Sequence, residues 1–219
     1  MSSADLAVVA FGEAPPDATL ATLGAAHVVL AGDAASPAAL LAAARSDERS
    51  VLWLPAWAQV STSLVTAVGA WRAHGDGQRV ARARVRLGCG PRAEIGGPER
   101  VVLSSPGAVV LDGERPRAAA GARAEDLGVP LEILLPEDLT EHLAGVNQQS
   151  SVAARLRHAA GRDAAWSDLA FRPALLALRA VASATGSRRE ALPHAVIEAY
   201  REVLSAAKLW ELAHGTALA

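Results

Sequence analysis

Several residue types are scarce in this sequence. It has one cysteine, Cys89, and one lysine, Lys208, in 219 residues. A single thiol excludes an internal disulfide, a thiolate zinc site and Cys-x-x-Cys redox chemistry together. A lone lysine in Ala206-Ala207-Lys208-Leu209-Trp210 excludes a Gly-x-x-x-x-Gly-Lys-Ser/Thr phosphate loop. Aromatic residues make up 4%, so few rings are present to stack on bases. Neither sign of charge dominates: 21 Lys+Arg against 23 Asp+Glu leave a formal net charge of −2. That balance argues against nucleic acid as a partner. No Gly-x-Ser-x-Gly elbow or His-Glu-x-x-His pair is present. Met1-Ser2-Ser3-Ala4-Asp5-Leu6 offers no basic start to a signal peptide. The longest apolar stretch, 166–181, is broken by Asp168, Arg172, Pro173 and Arg179, which excludes it as a membrane span. The expectation is a soluble, cytoplasmic chain, with peripheral membrane contact left open.

Apolar residues are plentiful. They make up 51% of the chain, with a mean hydropathy of +0.21, enough for a substantial core. The richness in alanine and arginine is a high-GC coding bias typical of bacterial genomes, and it says nothing of function. Leu6–Ala10, His27–Ala31 and Ser50–Leu54 read as strands. Between them Asp17 caps a helix over 18–23, and Ser36-Pro37 opens another to about Ala44. Strand and helix alternating through short connections predict a parallel sheet built from βαβ units. After Ser61 a helix runs to about His74. From Val80 to Leu87 the pattern alternates strictly, with Ala81, Ala83 and Val85 on one face and Arg82, Arg84 and Arg86 on the other. Val101–Leu103 and Ala108–Leu111 read as further, antiparallel strands.

Beyond Asp138 the pattern is helical. Leu139, Leu143, Val146 and Ser150 share a stripe in a helix closed by Gly161. A second helix covers about 167–184 and a third about 192–213. In the third, Val196, Tyr200, Val203, Ala207 and Trp210 recur at helical spacing, a stripe able to pair two copies of the chain. The expectation is a mixed α/β fold with a mainly parallel sheet flanked by helices. An α/β domain spans residues 1–137, and a C-terminal helical extension spans 138–219.

In open α/β folds ligands bind beyond the carboxyl ends of the parallel strands. The side chains expected there include Glu13, Asp33 and Trp57, and two carboxylates are thin provision for a metal. The plain reading of Glu13 and Asp33 is solvated loop carboxylates. The arginine strand invites a phosphate reading because guanidinium forks match phosphate oxygens, but a solvated strand face is the ordinary explanation. Gly88-Cys89-Gly90-Pro91 reads as a turn, and Cys89 as a structural thiol with no base beside it. His142, His158, His194 and His214 lack metal-ligand spacing and read as partly exposed helix positions. Trp53, Trp71, Trp166 and Trp210 read as core, whereas Trp57 follows a strand end where a ligand could sit.

The C-terminal third carries a set of short motifs in order. These are Asn147-Gln148-Gln149-Ser150-Ser151-Val152-Ala153-Ala154, Gly161-Arg162, Phe171-Arg172-Pro173 and Ala207-Lys208-Leu209-Trp210-Glu211. This set resembles the family 2 glycosyltransferases of GT-A fold, in particular those of lipopolysaccharide core biosynthesis. Their third strand is followed by Leu-Asp-Ala-Asp-Glu, an apolar residue, Ser and, three on, Leu. Here Leu54, Ala56, Val60, Ser61 and Leu64 keep that frame, while Pro55, Trp57 and Ala58 replace its three acids.

The resemblance implies a nucleotide-sugar-type domain, and Mg²⁺ or Mn²⁺ is expected of the family. Such ions need oxygen ligands, which Pro and Trp do not supply, so no cofactor is expected here. The family's Asp-x-x-Ser-x-Asp-Gly-Thr loop survives only as Gly32-Asp33-Ala34-Ala35-Ser36. Its Leu-Asp-Gly turn is replaced by Arg188-Arg189-Glu190-Ala191-Leu192, and its opening Asn-Glu is reduced to Gly12-Glu13. The expectation is therefore a glycosyltransferase-like protein without metal-dependent transfer, which keeps a nucleotide-sugar, glycan or protein-partner site. Glu13, Asp33, Trp57, Arg82, Arg84 and Arg100 are its candidate binding residues, and no catalytic residue is named. Two alternatives stay open. One is an active, metal-independent sugar transferase acting on a cell-envelope glycan, with arginines such as Arg82, Arg84 and Arg100 stabilising the diphosphate. The other is an unrelated α/β binding module.

Overall fold

A computed structural model describes residues 6–11, 20–21, 23, 25–30, 42, 50–73, 77–88, 93–112, 115–136, 138–186 and 188–215. Glu13, Asp33 and Cys89 lie outside them, as do the helix starts at Asp17 and Ser36. The strands are β1 (Leu6–Ala10), β2 (Ala25–Leu30), β3 (Ser50–Leu54), β4 (Ala58–Gln59), β5 (Arg79–Gly88), β6 (Ala93–Ser104), β7 (Val109–Asp112), β8 (Arg115–Ala118), β9 (Arg123–Asp126), β10 (Leu131–Leu134) and β11 (Ala184–Gly186). The helices, numbered within this set, are α1 (Thr62–Ala73), α2 (Leu139–Ala159), α3 (Trp166–Ser183) and α4 (Arg188–His214). The chain forms two compact units. One comprises Met1–Arg86 with Pro98–Ile133, and the other Leu87–Gly97 with Leu134–Ala219.

The protein is mixed α/β, with a sheet that is only partly parallel. The strand order is β2-β1-β3-β6-β5-β10-β4, with β9 beside β5 and β11 beside β6. β1 runs parallel to both β2 and β3, the outcome expected from short βαβ connections. Every residue of β1 and β3 is buried, as in strands covered on both faces. β6 then returns antiparallel to β3, with Val51 opposite Ser104 and Leu52 opposite Leu103. β5 pairs with β9 in parallel, and β10 with β4 antiparallel. The strand at 101–103 belongs to a longer β6. Its neighbour at 109–112 leaves the main sheet and forms a separate antiparallel hairpin with β8.

The first unit's core lies where β1, β3, β5 and β6 meet α1. Leu6, Val8, Leu52, Trp53, Leu64, Val80, Val102 and Leu103 are all buried in it. In β5, Ala81, Ala83 and Val85 are buried and Arg82, Arg84 and Arg86 are exposed, as the alternation requires. The first residue of β5 breaks that pattern. Arg79 is buried, donates from Nη2 to the Trp71 carbonyl at 2.8 Å, and lies 4.3 Å over the Trp71 ring. Its Nη1 is 3.6 Å from Glu125 of β9. One arginine thereby ties the end of α1 to two strands, with its guanidinium both paired and stacked.

In the second unit α2 and α3 both pack on α4. Asp138 caps α2 by accepting from the Thr140 N–H at 2.7 Å. Gly161, at φ +71°, ends it in a Schellman motif, with Arg162 N–H bonded to the Arg157 carbonyl and Gly161 N–H to that of His158. The buried face of α2 keeps Val146 and Ser150 of the stripe in the sequence and drops its first two members. Leu139 and Leu143 are exposed, while His142, Val146, Ser150, Ala153 and Arg157 are buried. His142 therefore corrects the expectation of a surface histidine, although His158 and His214 are exposed.

On α4 the apolar stripe stays on the surface of one copy, as pairing of two copies would need. Its Val196, Tyr200 and Trp210 face outward, while Arg201, Glu202 and Ser205 are buried. Trp210 is thus no core residue. Hydrophobic spacing marks a face but not its direction, and α4 buries a mixed face, Ala195, Ile197, Ala206 and Leu209 with Arg201, Glu202 and Ser205, where Arg157 of α2 meets the polar groups.

Candidate functional site

β1 lies between β2 and β3, so the chain leaves β1 on one side and returns on the other. That reversal puts a topological switch point at the carboxyl ends of β1 and β3, the place where open α/β sheets leave a crevice. The described residues there are Phe11, whose N–H donates to the Leu54 carbonyl at 2.9 Å, and Pro55, Ala56 and Trp57.

These three residues open a tight turn. The Ala58 N–H donates to the Pro55 carbonyl at 3.2 Å, which makes Trp57 the third residue of a β-turn. Trp57 sits there at φ +60°, the one non-glycine at positive φ among the described residues. Glycine or asparagine usually fills such a position, and holding an L-residue there costs roughly 1–2 kcal/mol. Trp57 is half-buried. Strain of this kind persists where surrounding contacts over-determine the backbone, and it collects at ligand-contacting positions.

The residues on either side hold this turn in place. Ala58 and Gln59 pair with Ile133 and Glu132 of β10, pinning its far side. Ser61 starts α1: its Oγ accepts from the Leu64 N–H at 3.3 Å and its carbonyl from the Val65 N–H at 3.0 Å. Leu54 and Leu64 are both buried. The frame residues of this stretch thus hold strand, cap and core, whereas Pro55 and Trp57 occupy the turn itself. No side-chain oxygen at 55 or 57 could hold a divalent cation. Among the described residues no group of three or more His, Cys, Asp or Glu side chains could hold a metal ion.

The candidate arginines separate. β6 runs back along β3 from the Leu52–Leu103 pair, so Arg100 lies three residues further on, toward the carboxyl end of β3. It shares that end of the sheet with Trp57 and is half-buried. Arg82 and Arg84 project from the outward face of β5, which is separated from β3 by β6. Arg82 is in register with Asp126 of β9. Trp57 and Arg100 are therefore brought to one end of the sheet, and Arg82 and Arg84 stand apart from it.

Two polar constellations in the second unit went unseen in the sequence. Lys208 Nζ donates to four acceptors: the Asn147 carbonyl and Oδ1, each at 2.7 Å, Ser150 Oγ at 2.9 Å and Ser151 Oγ at 2.7 Å. The signal available was that the only lysine falls in one short motif and its acceptors in another. The second constellation centres on Glu202, which is 3% exposed. Its carboxylate lies 3.3 Å from Arg157, 3.5 Å from Arg201 and 3.8 Å from Arg172. Ser205 Oγ accepts from Arg157 at 3.1 Å, and Glu198 is 3.2 Å from Arg201. No spacing rule links Arg157 to Glu202 across 45 residues.

No protein-family model, curated protein or solved structure matched the chain. No helix among the described residues is long and apolar enough to cross a membrane.

Proposed function

We propose that this protein is a glycosyltransferase-like domain of the family 2, GT-A type. In this reading it has lost metal-dependent sugar transfer and retains a binding edge for a sugar nucleotide or glycan at the carboxyl ends of β1 and β3. The observation that carries the reading is the Pro55–Ala58 turn, which presents Trp57 in a strained conformation where the resembling enzymes carry their metal-binding acids. A half-buried indole there offers a flat apolar face on which a sugar ring or base can stack. Without the acids, the charge on a leaving diphosphate goes uncompensated by a metal, a term worth several kcal/mol of barrier. Two further observations support the resemblance. Leu54, Ser61 and Leu64 of the retained frame hold strand, cap and core. The Asn147–Ser151 and Ala207–Glu211 motifs meet through Lys208.

Calorimetric titration with UDP, UDP-glucose and ADP-glucose, with Mn²⁺ and then with EDTA, tests the proposal. The expected result is binding that EDTA leaves unchanged, that Trp57→Ala weakens at least tenfold, and that proceeds without turnover. Tight Mn²⁺-dependent binding with sugar release would overturn it. Absence of binding to any of the three would favour an unrelated α/β binding module.

A second reading, metal-independent transfer on a cell-envelope glycan, is favoured by one placement only, that of Arg100 at the end of the sheet that carries Trp57. It requires measurable transfer in EDTA that Arg100→Ala abolishes. The exposed Arg82 and Arg84 on β5 offer it no support.

A further inference from the structure

In the second unit, a buried ion-pair cluster within the core coexists with apolar surface on the outside. On α3, Phe171, Leu175 and Leu178 are 71%, 66% and 68% exposed. They fall at i, i+4 and i+7, one face of the helix. On α4, Leu192, Val196 and Tyr200 are 52%, 55% and 47% exposed and continue toward exposed Trp210. Among the described residues, the exposed positions of α4 from Leu192 to Trp210 are Leu192, Pro193, Val196, Tyr200 and Trp210, none of them charged. The two helices pack together across a short connection, and Arg172 reaches Glu202 from one to the other. That antiparallel arrangement sets Phe171 level with Tyr200 and Leu175 with Val196, each pair equally far from the connection, and Leu178 within one residue of the level of Leu192.

We infer that the outward faces of α3 and α4 form the interface of a symmetric homodimer, in which the helical hairpin of one copy packs on that of the second. Three considerations select a second copy. The first is area: the six side chains at these exposures offer on the order of 600 Å² of apolar surface, close to the roughly 800 Å² per partner of a standard interface. The second is composition. An apolar face interrupted by Ala174, Ala182, Ala199 and Ala207, with one exposed charge, Arg179, at its edge on α3, suits close helix-on-helix packing and complements itself under a two-fold axis. The third is charge. A helix that lies in a lipid interface presents a lysine- and arginine-rich polar face beside its apolar one, whereas among the described residues Arg179 is the one fully exposed cation of α3, and Arg201 of α4 is buried.

Sedimentation velocity on the full chain between about 1 and 100 µM reads the association directly. The expected species is a dimer of the 22.5 kDa chain. Leu175→Glu and Val196→Glu, each on the exposed face, are expected to raise the dissociation constant at least tenfold while far-UV circular dichroism stays unchanged and the melting temperature matches that of the wild-type chain diluted to monomer. Leu139→Glu, at an exposed position on α2, is the control and should leave the dimer intact. A chain monomeric at 100 µM would overturn the inference, as would a dimer indifferent to both glutamates or one equally broken by Leu139→Glu. Co-flotation of a monomeric chain with phosphatidylcholine–phosphatidylglycerol vesicles, lost in Leu175→Glu, would assign the face to a membrane instead. Sugar-nucleotide titration of the Leu175→Glu monomer separates this result from the fate of the proposed function.

Discussion

At Trp57, strain and burial oppose each other. Replacing it with glycine relieves roughly 1–2 kcal/mol of left-handed strain but forfeits part of an aromatic side chain's burial. Trp57→Gly is therefore expected to change stability in urea unfolding by less than about 1 kcal/mol while removing sugar-nucleotide binding. A large loss of stability would identify Trp57 as a packing residue. Glu202 is the opposite case. Its carboxylate compensates Arg157 and Arg201, both buried; Arg201 keeps Glu198 in Glu202→Gln, whereas buried Arg157 loses this carboxylate. The expected cost in urea unfolding is about 3 kcal/mol, and replacing the ion pair with packed apolar residues, as in Arg157→Leu with Glu202→Met, should cost less. Ser104 is a smaller instance, because its hydroxyl accepts from the buried Trp53 indole at 3.1 Å. Ser104→Ala orphans that N–H and should cost about 1–3 kcal/mol by the same measurement.

Between elements, Lys208 joins α2 to α4. Four oxygens converge on one ammonium nitrogen, a geometry that suits a compact cation with rotatable donors better than a planar guanidinium. Lys208→Met is expected to destabilise the protein by about 2 kcal/mol and to raise amide exchange across 147–151 first, with Lys208→Arg failing to restore wild-type protection. Unaltered exchange there would show that the helices dock through apolar contacts alone. Much of this level was legible in the sequence. The ends of α2 came from Asp138 and Gly161, whose chemistry is local, and the facing of β5 from a strict period of two. The direction of the α2 and α4 stripes was not legible, since both helices bury polar residues that find partners 45 to 61 residues away.

Over the whole molecule, the departures from the transferase motifs that the proposed function invokes are spread along the chain, at 12–13, 32–36, 55–58 and 188–192. Pro55→Asp with Trp57→Asp would therefore restore carboxylates without restoring a site. The expected outcome is weak Mn²⁺ binding by calorimetry and no sugar transfer, and transfer by that double variant would show that the rest of the machinery survives. The sequence by itself left β4, β8, β9, β10 and β11 unmarked; it determined the strands β1, β2, β3 and β5 and the helices α1 to α4, the buried parallel character of β1 and β3, the outward arginines of β5, and the absence of acids at 55 and 57. All of these come from local period, caps and residue chemistry. Only the tertiary structure decided that β6 returns beside β3 with Arg100 running toward the end that carries Trp57, and that Trp57 takes a glycine's place in a turn. It alone showed that the scarcest cation, Lys208, closes on Asn147, Ser150 and Ser151. These outcomes depend on long-range pairing and on which of two faces finds a partner, and no periodicity in a single segment encodes either.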